Sequence, residues 1–371
     1  MKSKTKSSLS ALALLSVAAM MLSACGTTDA PPPAATPKAS EAADGPLGNA
    51  AQQKAFDALY QKAKAESQVV IYGPPQSAAT TAAFEKRFPG IKVVEQSIQG
   101  AERTARLKAE ETSGNYAGDI VRDGQTPVVQ LASSGQCAVV DPIMDVPEKW
   151  LEMDGKVLDG RISIFGMVYN TNMLKKSEVP QTWEELLEPK WKGKITMVNP
   201  AAGGAGAFTL AQLIEEKTMG PKYGMPWLTK LKAQDLQLVP RDALMVQAVA
   251  TGESPLAIVV FRPLFTEVKD KGAPIEYSFP MKADNMWTLN SSCLLAKAPH
   301  PNAAKLYIDW IWSPEGQEVI AAEGSYPVMP GSTPPGGMPP IEEVSLLKKL
   351  PLLEALTGYD DDLKAVLAFF K

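Results

Sequence analysis

A single arginine follows one of the most apolar short runs in the chain, and its charge could bind an anion. Leu256 to Val260 is unbroken apolar sequence, which predicts a strand buried on both faces of a parallel sheet. Phe261 and Arg262 follow, and Pro263 ends the strand because it has no N–H to donate. Open α/β sheets bind ligands at the carboxyl ends of their strands, so Arg262 could face a cleft and hold an anionic group. The alternative is a solvated or salt-bridged arginine at the strand end.

A glycine-rich turn offers a second anion site. Gly203, Gly204, Ala205 and Gly206 precede a predicted helix over 207–218. Such a turn exposes backbone N–H groups beside the positive end of a helix dipole. The alternative is an ordinary flexible turn. Together with Arg262, this turn could cradle a phosphate or phosphonate.

Further binding candidates follow from their positions at predicted strand ends and on two long extended runs. Aromatic side chains among them could stack on a ring or cover aliphatic carbons. For each residue the alternative is core packing or helix capping. The candidates are Tyr72, Gly73, Ser77, Gln99, Gly100, Arg122, Asp123, Tyr169, Asn170 and Trp287.

The sequence disfavours an enzyme. Its one histidine, His300, lies between two prolines, and it contains neither Gly-x-Ser-x-Gly nor His-Glu-x-x-His. No pair of carboxylates stands out for hydrolysis, and no Cys-x-x-Cys or Cys/His cluster suggests a zinc site. We therefore expect no catalytic residues, no metal site and no cofactor.

The amino terminus resembles a bacterial lipoprotein leader. Three lysines precede an apolar stretch from Leu9 to Leu22, and Leu22-Ser23-Ala24-Cys25 resembles a lipobox. This predicts a signal peptide over 1–24 and a lipid-modified Cys25, the alternative being an ordinary signal peptide. Residues 25–50 are rich in Pro and Ala and read as a tether that holds a folded body off the membrane.

Charge and cysteines limit the partners. The formal net charge is −4, and removing the three leader lysines makes it −7. Nucleic acid and anionic membrane surfaces are therefore disfavoured as partners, whereas a small anion is not. Cys137 and Cys293 could form a disulfide or remain two buried thiols.

Alternating elements predict an α/β fold. Helical and extended patterns alternate over 51–135, with strands expected over 68–72, 91–98 and 119–123. Ser77 is a predicted helix cap, and Thr126 with Pro127 predicts another helix start. Thr182 begins a capping box. The pattern favours a parallel sheet with helices on both faces, and short helices are expected after a loop over 331–340.

Several short motifs, taken in order, resemble the substrate-binding proteins of bacterial ABC importers, in the group that binds ferric iron, phosphonates and sugar phosphates. The resemblance implies a type II periplasmic-binding-protein-like fold with two lobes, each a mixed, mostly parallel sheet flanked by helices. Lobe 1 would hold 51–161 plus 291–371 and lobe 2 would hold 162–290, joined by crossover strands over 162–170 and 286–295 and closing by hinge motion. The motifs are Val69-Val70-Ile71-Tyr72-Gly73, Asp119-Ile120-Val121, Tyr169-Asn170-Thr171, Leu187 to Ile195, Asn199-Pro200 and Pro299 to Gln317.

The same resemblance suggests the cargo and the partners. Ferric-iron members carry adjacent tyrosines where this chain has Phe261-Arg262, and Phe offers no ligand to Fe³⁺. We therefore expect a small anionic organic solute: a phosphonate, phosphate ester or carboxylate. The alternatives are a ferric-iron receptor or a module that presents its ligand to a sensor. The expected partners are ABC permease and ATPase subunits, with a monomer held by its lipid anchor on the extracytoplasmic face of the cell membrane.

Overall fold

A computed structural model describes residues 45–74, 77–202, 204–348 and 352–371. The predicted leader, Cys25 and most of the predicted tether lie outside the described residues. The strands are β1 (Gln68–Tyr72), β2 (Lys92–Gln96), β3 (Ile120–Gly124), β4 (Leu151–Glu152), β5 (Val157–Asn170), β6 (Ile195–Val198), β7 (Gln237–Val239), β8 (Leu256–Phe261), β9 (Ile275–Ser278), β10 (Met286–Leu294) and β11 (Tyr326–Pro327).

The α-helices lie before, between and after these strands, as the alternating pattern predicts. They are α1 (Ala50–Glu66), α2 (Ala78–Arg87), α3 (Gly100–Ser113), α4 (Gln125–Ser133), α5 (Gly204–Ile214), α6 (Gly224–Lys232), α7 (Asp242–Ala250), α8 (Arg262–Lys269), α9 (Pro301–Trp312), α10 (Pro314–Ala322) and α11 (Leu352–Phe369).

Two groups of parallel strands are joined by two antiparallel strands. The strand order is β2-β1-β3-β10-β5-β8-β6-β7, with β4, β9 and β11 also pairing with β5. β2, β1 and β3 are parallel to one another, as are β8, β6 and β7, while β10 and β5 run antiparallel between the groups. The long strands β5 and β10 therefore connect the two halves of the sheet.

The buried side chains fall into separate clusters, and different parts of β5 and β10 contribute side chains to different clusters. Ile164 and Leu289 pack in a cluster with the first strands, whereas Phe165 and Met286 pack with residues of the second half. The C-terminal Val366 also belongs to the second cluster. The sequence placed all of 291–371 in lobe 1, but the structure packs α11 against the other half, because its apolar face contacts α5.

Three local predictions need correction. α4 begins at Gln125 with Gly124 as its cap, so Pro127 lies within the first turn and not at the first helical position. Thr182 accepts a hydrogen bond from the Glu185 backbone N–H at 3.2 Å, but only a 3₁₀ turn follows. The chain ends in one 18-residue helix and not in several short ones, because long-range packing on α5 supports it.

Cys137 and Cys293 form a disulfide, which settles the alternative that the sequence left open. Their Cα atoms are 5.6 Å apart, and the bond ties the segment after α4 to β10. Both cysteines are buried in a small cluster with β1 and β3 side chains. None of the helices in the described ranges is both long and apolar enough to cross a membrane.

Candidate functional site

A cavity of about 1070 Å³ lies where the two halves of the molecule meet. One wall comes from the first half through the starts of α2 and α4, and the other from α5, α7 and α8. Ser163 and Phe165 of β5 and Thr288 and Asn290 of β10 complete the lining between these walls. The connecting strands therefore form part of the cavity wall, so a change in their bend would change its width.

Several helices direct their N-terminal ends at this cavity. Ser77 caps α2 by accepting a hydrogen bond from the Ala79 N–H at 3.1 Å, and both residues line the cavity. Gly124 caps α4 without a side-chain hydrogen bond, and Gln125 and Thr126 line the cavity. The first N–H groups of a helix have no intrahelical acceptor and carry the positive end of its dipole. The lining therefore contains backbone donors suited to an anion.

The start of α8 also opens onto the cavity, after an irregular end to β8. Val259 has a left-handed backbone (φ 58°), and the pairing of β8 with β5 shifts register between Gly166 and Val168. A bulge of this kind re-aims the side chains that follow it. Phe261 and Pro263 line the cavity, whereas Arg262 does not.

Arg262 instead binds the chain after α10. Its Nη2 donates to the Gly336 carbonyl at 2.6 Å, and its aliphatic part packs against Gly324. Its Nε and Nη1 are buried without an acceptor in the described residues, and burial lowers its pKa. The guanidinium carbon lies 5.8 Å from the Tyr277 ring centre. The Arg262 side chain therefore does not line the cavity, where the sequence predicted that it could hold an anionic group.

The other predicted residues divide into two groups. Ser77, Gln99 and Asp123 line the cavity. Gly204, Ala205 and Gly206 form the first turn of α5, and Gly203 lies outside the described residues. Gly206 and the remaining candidates are not among the lining residues that the structure describes.

Most of the residues outside the lining have structural contacts. Tyr72 is buried and donates a hydrogen bond to Glu110, and desolvation together with this hydrogen bond raises the Tyr72 pKa to about 12. Arg122 donates to the Pro74 carbonyl at 2.7 Å, and Asn170 donates to the Val249 carbonyl at 2.8 Å. Trp287 donates to the Leu347 carbonyl at 2.9 Å. Tyr169 is buried, Gly73 packs on the Arg122 carbonyl, and Gly100 is exposed at the start of α3.

Sequence reasoning missed several lining residues. Phe165 and Phe208 supply aromatic surface, and Glu323 and Lys348 supply charge. Phe165 sits within the predicted crossover strand, so its position on a lobe-joining strand could have singled it out. Glu323 and Lys348 carry no local motif, since only tertiary folding brings them to the cavity.

Carboxylates outnumber basic groups in the lining, but several are neutralised. Asp123 forms a buried ion pair with Arg103, and Glu323 pairs with Arg161 at 3.3 Å. Glu323 also accepts from the Thr80 backbone N–H at 3.1 Å. Burial raises the pKa of Asp242, which favours its neutral form. In the described part of the chain, no group of three or more His, Cys, Asp or Glu side chains could hold a metal ion.

Comparison with known proteins confirms the resemblance that the motifs suggest. The family described as bacterial extracellular solute-binding protein matches residues 79–345. The major ferric iron-binding protein of Neisseria meningitidis is 24% identical over 288 residues, covering 74% of this chain and 84% of that protein.

Solved structures share the fold at low identity. Iron-bound HitA from Pseudomonas aeruginosa superposes with a TM-score of 0.68 at 20% identity, covering 82% of this chain and 99% of HitA. AfuA from Actinobacillus pleuropneumoniae, with fructose-6-phosphate bound, gives 0.65 at 20% identity, covering 82% and 97%. The fold is that of the type II periplasmic binding proteins. The chain therefore belongs to the bacterial extracellular solute-binding protein family, whose members are receptors of ABC importers and not enzymes.

Proposed function

We propose that this protein is a lipid-anchored receptor that captures a small organic solute with an anionic group and delivers it to an ABC permease. The observation that carries the proposal is the cavity of about 1070 Å³, into which the starts of α2, α4 and α8 open. A volume of this size suits a ligand of sugar-phosphate dimensions. The helix starts supply donors for an anion even though Arg262 is turned away.

The anionic group would bind at backbone N–H groups and not at a guanidinium. At α4, Gly124 offers no capping side chain, and within the described residues no side chain caps the N–H groups of Gln125 and Thr126. At α2, the Thr80 N–H is already bonded to Glu323, and the Ala79 N–H to Ser77. The start of α4 is therefore better suited than the start of α2 to donate hydrogen bonds to an anion.

The rest of the solute would lie against aromatic and hydroxyl side chains. Phe165 and Phe261 are in ring contact, with centroids 5.9 Å apart, and both line the cavity. Asn290 donates to the Ser163 hydroxyl at 2.5 Å from the neighbouring strand. These groups lie on or beside β5 and β10, so closure of the two halves about these strands would bring them onto the ligand.

Ferric iron is the second candidate cargo, because a relative carries that name. Phe261 gives no oxygen donor at the end of β8, and the described residues contain no group of three or more His, Cys, Asp or Glu side chains that could hold a metal ion. A hard cation such as Fe³⁺ needs oxygen ligands. These observations favour the organic solute. A sensor, instead of a permease, remains the alternative recipient.

Membrane attachment would come from Cys25, which lies outside the described residues. Replacing Cys25 with Ala should move the mature protein from the membrane fraction to the soluble fraction, because a lipid chain provides the attachment. Fractionation of cells expressing both forms measures this. Unchanged membrane association would contradict the lipid anchor. The folded body would act as a monomer beside its permease and ATPase subunits.

A thermal-shift screen of the purified full chain tests the ligand class. The panel holds fructose 6-phosphate, glycerol 3-phosphate and inorganic phosphate, with fructose, glycerol, spermidine and Fe³⁺ as matched comparisons. A bound ligand at a hundredfold excess over its Kd stabilises the protein by about 2.7 kcal/mol. We expect stabilisation by an anionic member. Stabilisation by the neutral or cationic members alone would refute the anionic class.

A further inference from the structure

The C-terminal segment reaches the cavity from outside the part of the chain that matches the family. The match ends at residue 345. Just there, the Asn285 N–H donates to the Ser345 carbonyl and the Leu347 N–H donates to the Asn285 carbonyl, each at 2.9 Å. The Trp287 indole donates to the Leu347 carbonyl at 2.9 Å. These bonds fix the backbone next to Lys348, and Leu347 itself is buried.

Lys348 lines the cavity directly after this anchored stretch. It is the only cationic side chain in the lining that the described residues form. It has no ion-pair partner within 4.0 Å in that part of the chain, unlike the paired lining carboxylates Asp123 and Glu323. Lys348 is exposed as a residue, so it is available to a ligand that enters.

The helix that follows holds this segment against the cavity wall. α11 packs along α5, whose Phe208 and Gln212 line the cavity, and it also approaches α4 to within 8 Å between Cα atoms. Lys348 therefore follows a residue that packs with the second half, on a segment whose helix α11 also comes near α4 of the first half.

We propose that Lys348 binds the anionic group of the solute and gives this chain its preference for anionic over neutral solutes. This inference rests on the proposed function and adds a residue to it. An unpaired ammonium supplies a charge-assisted hydrogen bond to phosphate or carboxylate. The paired carboxylates present little net charge against such a ligand, because each faces an arginine.

Calorimetry on the full chain tests the role of Lys348. The probes are fructose 6-phosphate, glycerol 3-phosphate and inorganic phosphate, each compared with fructose or glycerol. We expect Lys348→Met to weaken the binding of the phosphorylated probes by about tenfold or more and to leave neutral binding unchanged. Lys348→Arg should stay within about threefold of the unmodified chain, since the charge remains. Raised salt should reduce the difference.

A matched control separates local from general charge effects. Lys364 lies on α11, its side chain is 72% exposed, and it does not line the cavity. Lys364→Met removes the same charge and should leave every affinity unchanged. Melting temperatures of all variants show whether each one folds.

Three outcomes overturn the inference in different ways. If the unmodified chain binds a phosphorylated probe and Lys348→Met binds it equally well, Lys348 has no role and the proposed function stands. If none of the three phosphorylated probes binds the unmodified chain, the anionic class fails and the role of Lys348 fails with it. A gain in spermidine binding by Lys348→Met without loss of anion binding also contradicts the inference.

Discussion

Replacing Glu323 with Gln should destabilise the protein strongly, although the side chain keeps its shape. Arg161 pairs with Glu323 at 3.3 Å, and the two side chains are only 12% and 7% exposed. Burial, and then the nearby charge of Arg122, lower the pKa of Arg161. Glutamine can still accept from the Thr80 N–H, so the variant isolates the loss of charge.

The expected cost follows from the geometry of the pair. At 3.3 Å and an effective dielectric constant of about 20, Coulomb's law gives roughly 5 kcal/mol. Removing one partner of a buried ion pair typically costs about 3–5 kcal/mol, because the other charge is left buried. We therefore expect Glu323→Gln to lower the free energy of unfolding by about 3–5 kcal/mol.

Urea denaturation followed by tryptophan fluorescence measures this change without ligand. Glu188→Gln is the control, because Glu188 and Lys190 form an exposed pair at 2.8 Å, and such pairs contribute about 0–1 kcal/mol. The double variant Glu323→Gln, Arg161→Met removes both charges and should be more stable than the sum of the single changes predicts. A loss for Glu323→Gln as small as that of the control would refute the reasoning.

Three further changes give distinct results. Replacing Cys137 and Cys293 with Ala should lower the free energy of unfolding by about 2–5 kcal/mol, because the disulfide closes a sequence separation of 156 residues. A reductant should destabilise only the unmodified chain. Equal melting curves for the unmodified chain and the double variant would contradict this prediction. Arg262→Met should leave anion affinity unchanged in calorimetry. It should alter the free energy of unfolding by less than about 1 kcal/mol, because it removes both the hydrogen bond to Gly336 and two unpaired buried donors. A tenfold loss of affinity would show that Arg262 binds the ligand. Burial raises the pKa of Glu152, so the native state loses stability as pH rises through the range above its unfolded pKa of about 4.3. Glu152→Gln should therefore gain stability relative to the unmodified chain as the pH rises above about 4.3, and a pH-independent difference in urea midpoints would contradict this.

Local sequence signals predicted the elements well, because they act over a few residues. Ser77 caps α2 as expected, and β1, β2 and β3 form close to the ranges expected over 68–72, 91–98 and 119–123. The strand around Leu256 to Val260 also forms. Such features depend on side chains near in sequence, and their patterns are therefore readable without the fold.

The direction of Arg262 could not be read in the same way. The sequence placed Arg262 at the cleft because it follows the carboxyl end of a predicted strand, but the direction of its side chain also depends on the regular alternation of that strand. The bulge at Val259 breaks that alternation, and a β-branched residue is a poor signal for a left-handed backbone. Gly336, which accepts the hydrogen bond from Arg262, is 74 residues away. No local sequence pattern therefore predicts this contact.

The site residues that the sequence missed depend on still longer contacts. Glu323 reaches Thr80 across 243 residues, and Lys348 reaches the cavity because Leu347 pairs with Asn285. A carboxylate or a lysine in a loop carries no distinguishing motif. Three-dimensional pairing is needed to find them.

The count of charges in the lining does not decide the sign of the ligand. Arg103 and Arg161 form ion pairs with the carboxylates of Asp123 and Glu323. These arginines therefore bind groups of the protein itself. Glu215, Asp242, Glu267 and Asp270 also line the cavity, but the groups there that could bind an anion are the helix N–H groups at α4 and α8 and the ammonium of Lys348. Both kinds of group attract anions, and neither contributes to a count of acidic lining residues. A cavity with more acids than bases can therefore still select an anionic solute, provided that its acids are paired and its donors are not.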